Sequence, residues 1–182
     1  MDTTTRAVID VFEQINQFPR CSKHEQQVSL WLQQWARSRG LDVQSDTAGN
    51  LVVRVPASVG FEKAPIIILQ GHMDMVCEKR ADSDHDFTKD PIRMIQDGPW
   101  LTARETTLGA DNGIAIAIAL ALVDDPEVSH PPLELFFTVD EETGLTGVLK
   151  MDPSLLSGSI LINLDSEDEG VFVVGCAGGR NT

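Results

Sequence analysis

Basic residues are scarce in this sequence. Its 182 residues include 14 Lys and Arg against 28 Asp and Glu, a formal net charge of −14, and the isoelectric point is about 4.5. Nucleic acid is held by clustered Lys and Arg, so no nucleic-acid partner is expected. Long apolar runs are also missing. The greasiest stretch, residues 113–123, is rich in alanine and closes on Asp124-Asp125, well short of the ~18–20 residues that cross a bilayer. No membrane partner is expected. The opening Met1-Asp2-Thr3-Thr4-Thr5-Arg6 has no positive segment followed by an apolar one, so a secretory leader is not expected either. Only three cysteines occur, Cys21, Cys77 and Cys176, with no CxxC pair. Neither a disulfide framework nor a cysteine zinc site is indicated, and three reduced thiols in a cytoplasmic protein are expected. Cys77 follows His72 by five residues, yet nothing nearby signals the oxyanion hole that a Cys-His nucleophile needs. HExxH, GxSxG and GxxxxGK[ST] are absent. Residues 82–86 start like a calcium loop, but Phe87 stands where glycine is required and Arg93 where the bidentate glutamate belongs.

What is present describes a folded α/β domain. At 42% hydrophobic and 23% charged, the chain is neither disordered nor fibrous. Val8, Val11, Phe12, Ile15 and Phe18 repeat at helical spacing up to Pro19. Ser22-Lys23-His24-Glu25 reads as a capping box opening a second helix, with Val28, Trp31, Leu32 and Trp35 on one face and Gly40 past its end. Residues 41–47 and 51–55 alternate around Ala48-Gly49-Asn50 and read as a hairpin. Residues 65–70, 133–139 and 159–164 are apolar and read as buried strands, with a fourth at 171–174. Residues 81–98 read as irregular, 100–103 as a short strand, 114–123 as a buried helix and 143–150 as helical. This alternation predicts a mixed, mostly parallel sheet with helices on both faces, whose working crevice lies at the carboxyl ends of its strands.

Those ends are where the chemistry gathers. His72 and Asp74 follow the first buried strand, Asp140-Glu141-Glu142 the second and Asp165 the third, while Asp111 heads a loop between Gly109 and Gly113. Each acid alone is commonplace, and residues 166–169 read as a solvated acidic turn. Together, carboxylates packed this closely resist ionising unless divalent cations neutralise them. One imidazole with several carboxylates suits zinc, and also cobalt or manganese. Residues i and i+2 of an extended chain point the same way, so Asp74 can take the second ring N–H of His72. The Glu141-Glu142 pair offers one carboxylate to a metal and one to a water.

The segments Gln70-Gly71-His72-Met73-Asp74-Met75-Val76-Cys77-Glu78-Lys79, Thr106-Thr107-Leu108-Gly109-Ala110-Asp111-Asn112-Gly113 and Asp140-Glu141-Glu142-Thr143-Gly144 resemble the metal motifs of the aminoacyl-histidine dipeptidase family. Asn163-Leu164-Asp165-Ser166-Glu167, Gly175-Cys176-Ala177-Gly178-Gly179 and the early Phe18-Pro19-Arg20-Cys21-Ser22-Lys23-His24-Glu25 extend the resemblance over nearly the whole chain, in family order. It implies a zinc-exopeptidase-like catalytic domain and a dipeptide substrate of the Xaa-His type. It also implies two divalent ions bridged by Asp111, with His72 and Asp165 completing one and Glu142 helping to hold the other. Glu141 would be the general base, Asp74 would orient His72, and a cis bond would follow Asp111. Family members are longer homodimers with a lid or dimerisation domain and a last histidine ligand in a carboxyl-terminal stretch. His24, His85 and His130 match no ligand position, so residues 1–182 are expected to be the amino-terminal part of the catalytic domain and inactive alone. A catalytically dead metal-binding or interaction remnant, or an aminoacylase-type hydrolase, are the alternatives.

Overall fold

A computed structural model describes residues 2–166 and 170–175. Helix α1 spans Thr3–Ile15 and is capped by Asp2, whose carboxylate accepts the Thr5 N–H at 2.8 Å. It buries Phe12 and Ile15. Helix α2 spans Gln26–Ser38 and buries Val28, Leu32, Trp35 and Ala36, the stripe its periodicity predicts. The expected capping box does not form. Ser22 Oγ instead donates to Asp74 Oδ2 at 2.7 Å, and Glu25 Oε1 accepts the Lys23 and Asp140 N–H groups, each at 2.9 Å. Tertiary partners take both side chains away from the helix end.

Strands β1 (Asp42–Ser45) and β2 (Leu51–Val55) make the hairpin. Asp46 turns it by accepting the N–H groups of Ala48, Gly49 and Asn50 on one oxygen. Strand β3 is Ile67–His72. Within the stretch expected to be irregular, β4 (Met94–Asp97) pairs with β5 (Trp100–Ala103) as a separate exposed ribbon. Its two-residue turn is Gly98-Pro99, with Gly98 at φ 58°, the glycine-first pattern of a tight hairpin turn. Helix α3 spans Ala110–Asp124 and buries Ala115, Ile116, Ala117, Ala119, Leu120 and Ala121, while Ile118, expected to be covered in a helix apolar all round, is 40% exposed. Strand β6 is Leu133–Thr138, buried along its whole length. Helix α4 is confined to Thr146–Leu149, shorter than expected, and β7 is Ile160–Asn163.

The sheet order is β1-β2-β6-β3-β7. β3 lies parallel to both β6 and β7, whereas β2 is antiparallel to β1 and β6. The sheet is therefore mixed, with its parallel part on the side that carries the acidic residues. One face presents Leu51, Val53, Val55, Leu69, Leu133, Leu135 and Phe137 to α1, α2 and α3. The other presents Val52, Ile68 and Phe136 to Met151, Leu155 and Leu156 around a 3-10 turn at Pro153–Leu155. Each such buried side chain is worth about 1.5–3 kcal/mol. Glu134 sits among them at 2% exposure. Its carboxylate accepts the N–H groups of Ser157 and Gly158 at 2.9 and 3.0 Å and lies 3.6 Å from Arg54 Nε, which is how a buried charge is tolerated.

Three expectations need correction. β7 is not buried on both faces: Ile160, Leu161 and Ile162 are 43%, 50% and 38% exposed. It is the sheet edge, hydrogen-bonded among the described strands to β3 alone. Residues 171–174 form no strand and are exposed. Cys21 and Cys77 are not free thiols but a disulfide, with Cα atoms 5.6 Å apart. The chain brings them together by a backbone bridge between Cys21 and Met75 and by the Met75 N–H donating to Arg20 O at 3.1 Å. A non-reducing digest is accordingly expected to yield a peptide joining Cys21 to Cys77 that separates on reduction. Recovery of both as alkylated thiols without reductant would contradict the pairing. The acidic turn at 166–169 and the motif at 175–179, Cys176 included, fall wholly or mostly outside the described residues.

Candidate metal centre

Because β3 pairs in parallel with both β6 and β7, the carboxyl ends of all three strands lie side by side. His72 ends β3 opposite Thr138, the last residue of β6. The acidic turn at 140–142 follows directly. On the other flank Gln70 pairs with Asn163, two residues before Asp165. Asp111 arrives from above, at the head of α3. There the chain kinks: Gly109 is left-handed at φ 69°, Asp111 and Asn112 depart from helical angles, and the Asp111–Asn112 peptide bond is cis.

The side chains meet around His72, which is 1% exposed. Its Nδ1 faces Asp74, 3.0 Å from the main-chain oxygen and 3.3 Å from Oδ1. Its Nε2 is left for the acidic cluster, 3.1 Å from Asp111 Oδ1, 3.7 Å from Asp165 Oδ2 and 3.8 Å from Glu141 Oε2. Two donors bound tetrahedrally at ~2.1 Å to one ion lie ~3.4 Å apart, and these separations straddle that value. Two groups have the spacing to hold a cation, His72 with Glu141 and Asp165, and His72 with Asp111 and Glu142. The structure thus brings His72, Asp111, Glu141, Glu142 and Asp165 together, with both glutamates in the cluster. Borderline nitrogen and hard oxygen donors fit zinc, cobalt or manganese.

The electrostatics carry the mark of crowding. Burial, then neighbouring carboxylates, push Glu141, Glu142 and Asp165 above the usual range, although His72 pulls each the other way. Burial disfavours the charged form of His72, but its hydrogen bond to Asp74 and the charges of Asp74, Asp165 and Glu141 outweigh it and carry the imidazole up to about 9. Asp74 is fully buried, which alone would raise it. Hydrogen bonds from His72, the Glu141 and Glu142 N–H groups and Ser22 bring it down to about 2. The acids thus favour a protonated His72, and a metal held at Nε2 would displace that proton.

Sequence reading missed the scaffold behind these side chains. Asp74 holds the acidic turn as well as His72: it accepts the Glu141 and Glu142 N–H groups at 3.0 and 3.2 Å. Glu25 pins the start of that turn through Asp140 N. Arg20, 1% exposed, donates to the carbonyls of Met73, Asp74 and Gly109 and to Asn16 Oδ1. It ties the loop after β3 to the loop that delivers Asp111. Asn112, 3% exposed, spans β3 and the end of β7. Each lay inside a quoted segment, but nothing local distinguishes a buried arginine or asparagine from a solvated one. Cys77, being disulfide-bonded, is no nucleophile here.

No family model matches the chain. It is 47% identical over 170 residues to the cytosol non-specific dipeptidase of Escherichia coli, which covers 93% of this chain and 35% of that protein. The crystal structure of the aminoacylhistidine dipeptidase of Vibrio alginolyticus superposes with a TM-score of 0.87 at 44% identity, over 90% of this chain and 34% of that one. A tripeptidase from Staphylococcus aureus shares the fold, with a TM-score of 0.75 at 22% identity over 90% of this chain and 44% of that one. The chain spans about a third of the length of the two dipeptidases, and its motifs, fold and identity together make it a relative of the aminoacylhistidine dipeptidases.

Proposed function

We propose that these residues form the metal-binding part of a dipeptidase that hydrolyses dipeptides, Xaa-His among them, with two divalent cations, zinc in the first instance and cobalt or manganese as substitutes. The convergence of His72, Asp111, Glu141, Glu142 and Asp165 at one sheet edge carries the reading. Asp111 would bridge the two ions, His72 and Asp165 would complete one, and Glu142 would help hold the other. Bound there, the ions would supply Lewis acidity to the scissile carbonyl and acidify a water. The protein's own residues do the rest. Asp74 holds His72 Nδ1 so that Nε2 faces the carboxylates of Asp111, Asp165 and Glu141, and fixes the backbone of both glutamates. Glu141, raised by burial and like charges, takes the proton of the attacking water and passes it to the leaving amine. The name of the E. coli relative, a non-specific dipeptidase, argues for a wider range of dipeptides than Xaa-His alone.

The site is open on one side, with the Asp111 side chain 73% exposed. In this reading the covering domain and a last histidine lie in a longer form, so activity and the expected homodimer belong to that form. The test is to load the 182-residue chain with zinc, cobalt or manganese and measure bound metal, then assay β-alanyl-histidine and Gly-His beside acylated amino acids. Metal uptake that chelator reverses and His72→Ala abolishes is expected, with turnover in the longer form and little in this chain. Absence of His72-dependent uptake would overturn the reading, and cleavage of acylated amino acids but not dipeptides would move it to an aminoacylase.

A further inference from the structure

The Asn112 side chain occupies a position that the acids and His72 do not explain. It is buried at 3% exposure between the ends of β3 and β7. Its Oδ1 accepts the main-chain N–H of His72 at 3.2 Å. Its Nδ2 donates to the carbonyl of Leu164 at 3.2 Å and to Asp165 Oδ1 at 2.9 Å. One amide therefore grips the backbone under one candidate ligand and the carboxylate of another. The grip has a stereochemical result. With Oδ1 of Asp165 engaged by Asn112, it is Oδ2 that faces His72 Nε2, at 3.7 Å. Space is cut to fit as well: a Cβ on Gly71 would collide with Asn112 Oδ1 and lie 2.9 Å from Ala115 Cβ, so glycine there admits the amide.

Neither near-isostere can do this. Aspartate keeps the shape but loses both donors and sets a carboxylate against Asp165 and the Leu164 carbonyl. Leucine would leave the His72 N–H and the Leu164 carbonyl without partners, at a cost typical of buried polar groups. We propose that Asn112 is a positioning residue for the metal centre, fixing the rotation of the Asp165 carboxylate so that its Oδ2 and His72 Nε2 face one cation. The inference rests on the metal-site reading above and deepens it. Groups that orient a ligand in this way typically govern metal affinity by about 10–100-fold.

A double-mutant cycle on the 182-residue chain tests it, with cobalt(II) as probe and its visible absorption and dissociation constant as readouts. Asn112→Asp and Asn112→Ala are each expected to weaken cobalt binding by about 10–100-fold and to alter the visible spectrum. In an Asp165→Ala background the same substitutions are expected to change the affinity by less than about threefold, since the carboxylate they position is gone. Equal weakening in both backgrounds would overturn the proposal, because a general loss of structure does not depend on Asp165. Loss of the far-UV circular dichroism signal in both Asn112 variants would make Asn112 a fold residue and overturn it too. A wild-type chain that binds no cobalt would instead bring down the metal-site reading and this inference with it.

Discussion

In an active form carrying these residues, Glu141→Gln is expected to lower kcat for dipeptide hydrolysis by about 10²–10⁴-fold while bound metal is nearly unchanged. The amide keeps the volume of the side chain and loses the oxygen that accepts the proton. Glu142→Gln is expected to behave differently, releasing metal, because its place is with His72 and Asp111. The backbone of both residues is held by Asp74, so neither substitution should move the turn. Metal analysis alongside steady-state kinetics separates the two. Metal lost from the Glu141 variant and kept by the Glu142 variant would exchange their roles, which the spacing of His72 with Glu141 and Asp165 makes a real comparison.

Arg20→Met is expected to destabilise the fold by about 3–5 kcal/mol, from buried acceptors left unpaired at about 1–3 kcal/mol each. Replacing a buried ion pair by apolar residues can be neutral, but that case differs. Arg20 has no carboxylate within salt-bridge distance among the described residues. Its partners are the carbonyls of Met73, Asp74 and Gly109 and the amide oxygen of Asn16. A methionine takes this donor from all four, and although Gly109 O keeps the Gly113 N–H and Asp74 O keeps His72 Nδ1, the Met73 carbonyl and Asn16 Oδ1 are left buried without it. Burial lowers the guanidinium to about 10, against the pull of Asp74 and Asp111, so it stays charged at neutral pH. The surroundings are shaped to it: a Cβ on Gly109 would collide with the guanidinium, and one on Gly113 would sit 2.7 Å from Nη2. For a chain of this size the melting temperature should fall by roughly 6–20 °C, at about 2–4 °C per kcal/mol. A calorimetric change below about 1 kcal/mol would show that water or repacking replaces the arginine. Cobalt affinity should fall as well, since the loop leading to Asp111 is anchored by Gly109 O.

The strands that matter were legible because they are largely apolar, through β-branched residues in β3 and through leucine and phenylalanine in β6: Ile67, Ile68 and Leu69 in β3 and Leu133 to Phe137 in β6 read as buried and are buried, apart from Ile67, which is partly covered. The acids just beyond them could be placed at one edge from the rule that such sheets work at their strand ends. What escaped depends on partners distant in sequence. Ser22 and Glu25 have the spacing of a capping box, yet Asp74 and Asp140 claim them. Cys21 and Cys77 are 56 residues apart, and neither number nor spacing reveals that two loops cross there. Ile160, Leu161 and Ile162 are as apolar as a central strand, but composition does not say whether a neighbour covers it. Arg20 and Asn112 are polar in sequence and buried in the fold, where each is used by backbone groups that carry no sequence signature.

The most direct test of the two-cation account is anomalous scattering from crystals of the chain loaded with zinc. The account predicts two peaks ~3.5–4 Å apart, with the Asp111 carboxylate between them, His72 Nε2 and Asp165 Oδ2 on one and Glu142 on the other. A peak elsewhere on the molecule, or Asp111 and Asp165 turned away from a metal bound by other residues, would contradict it.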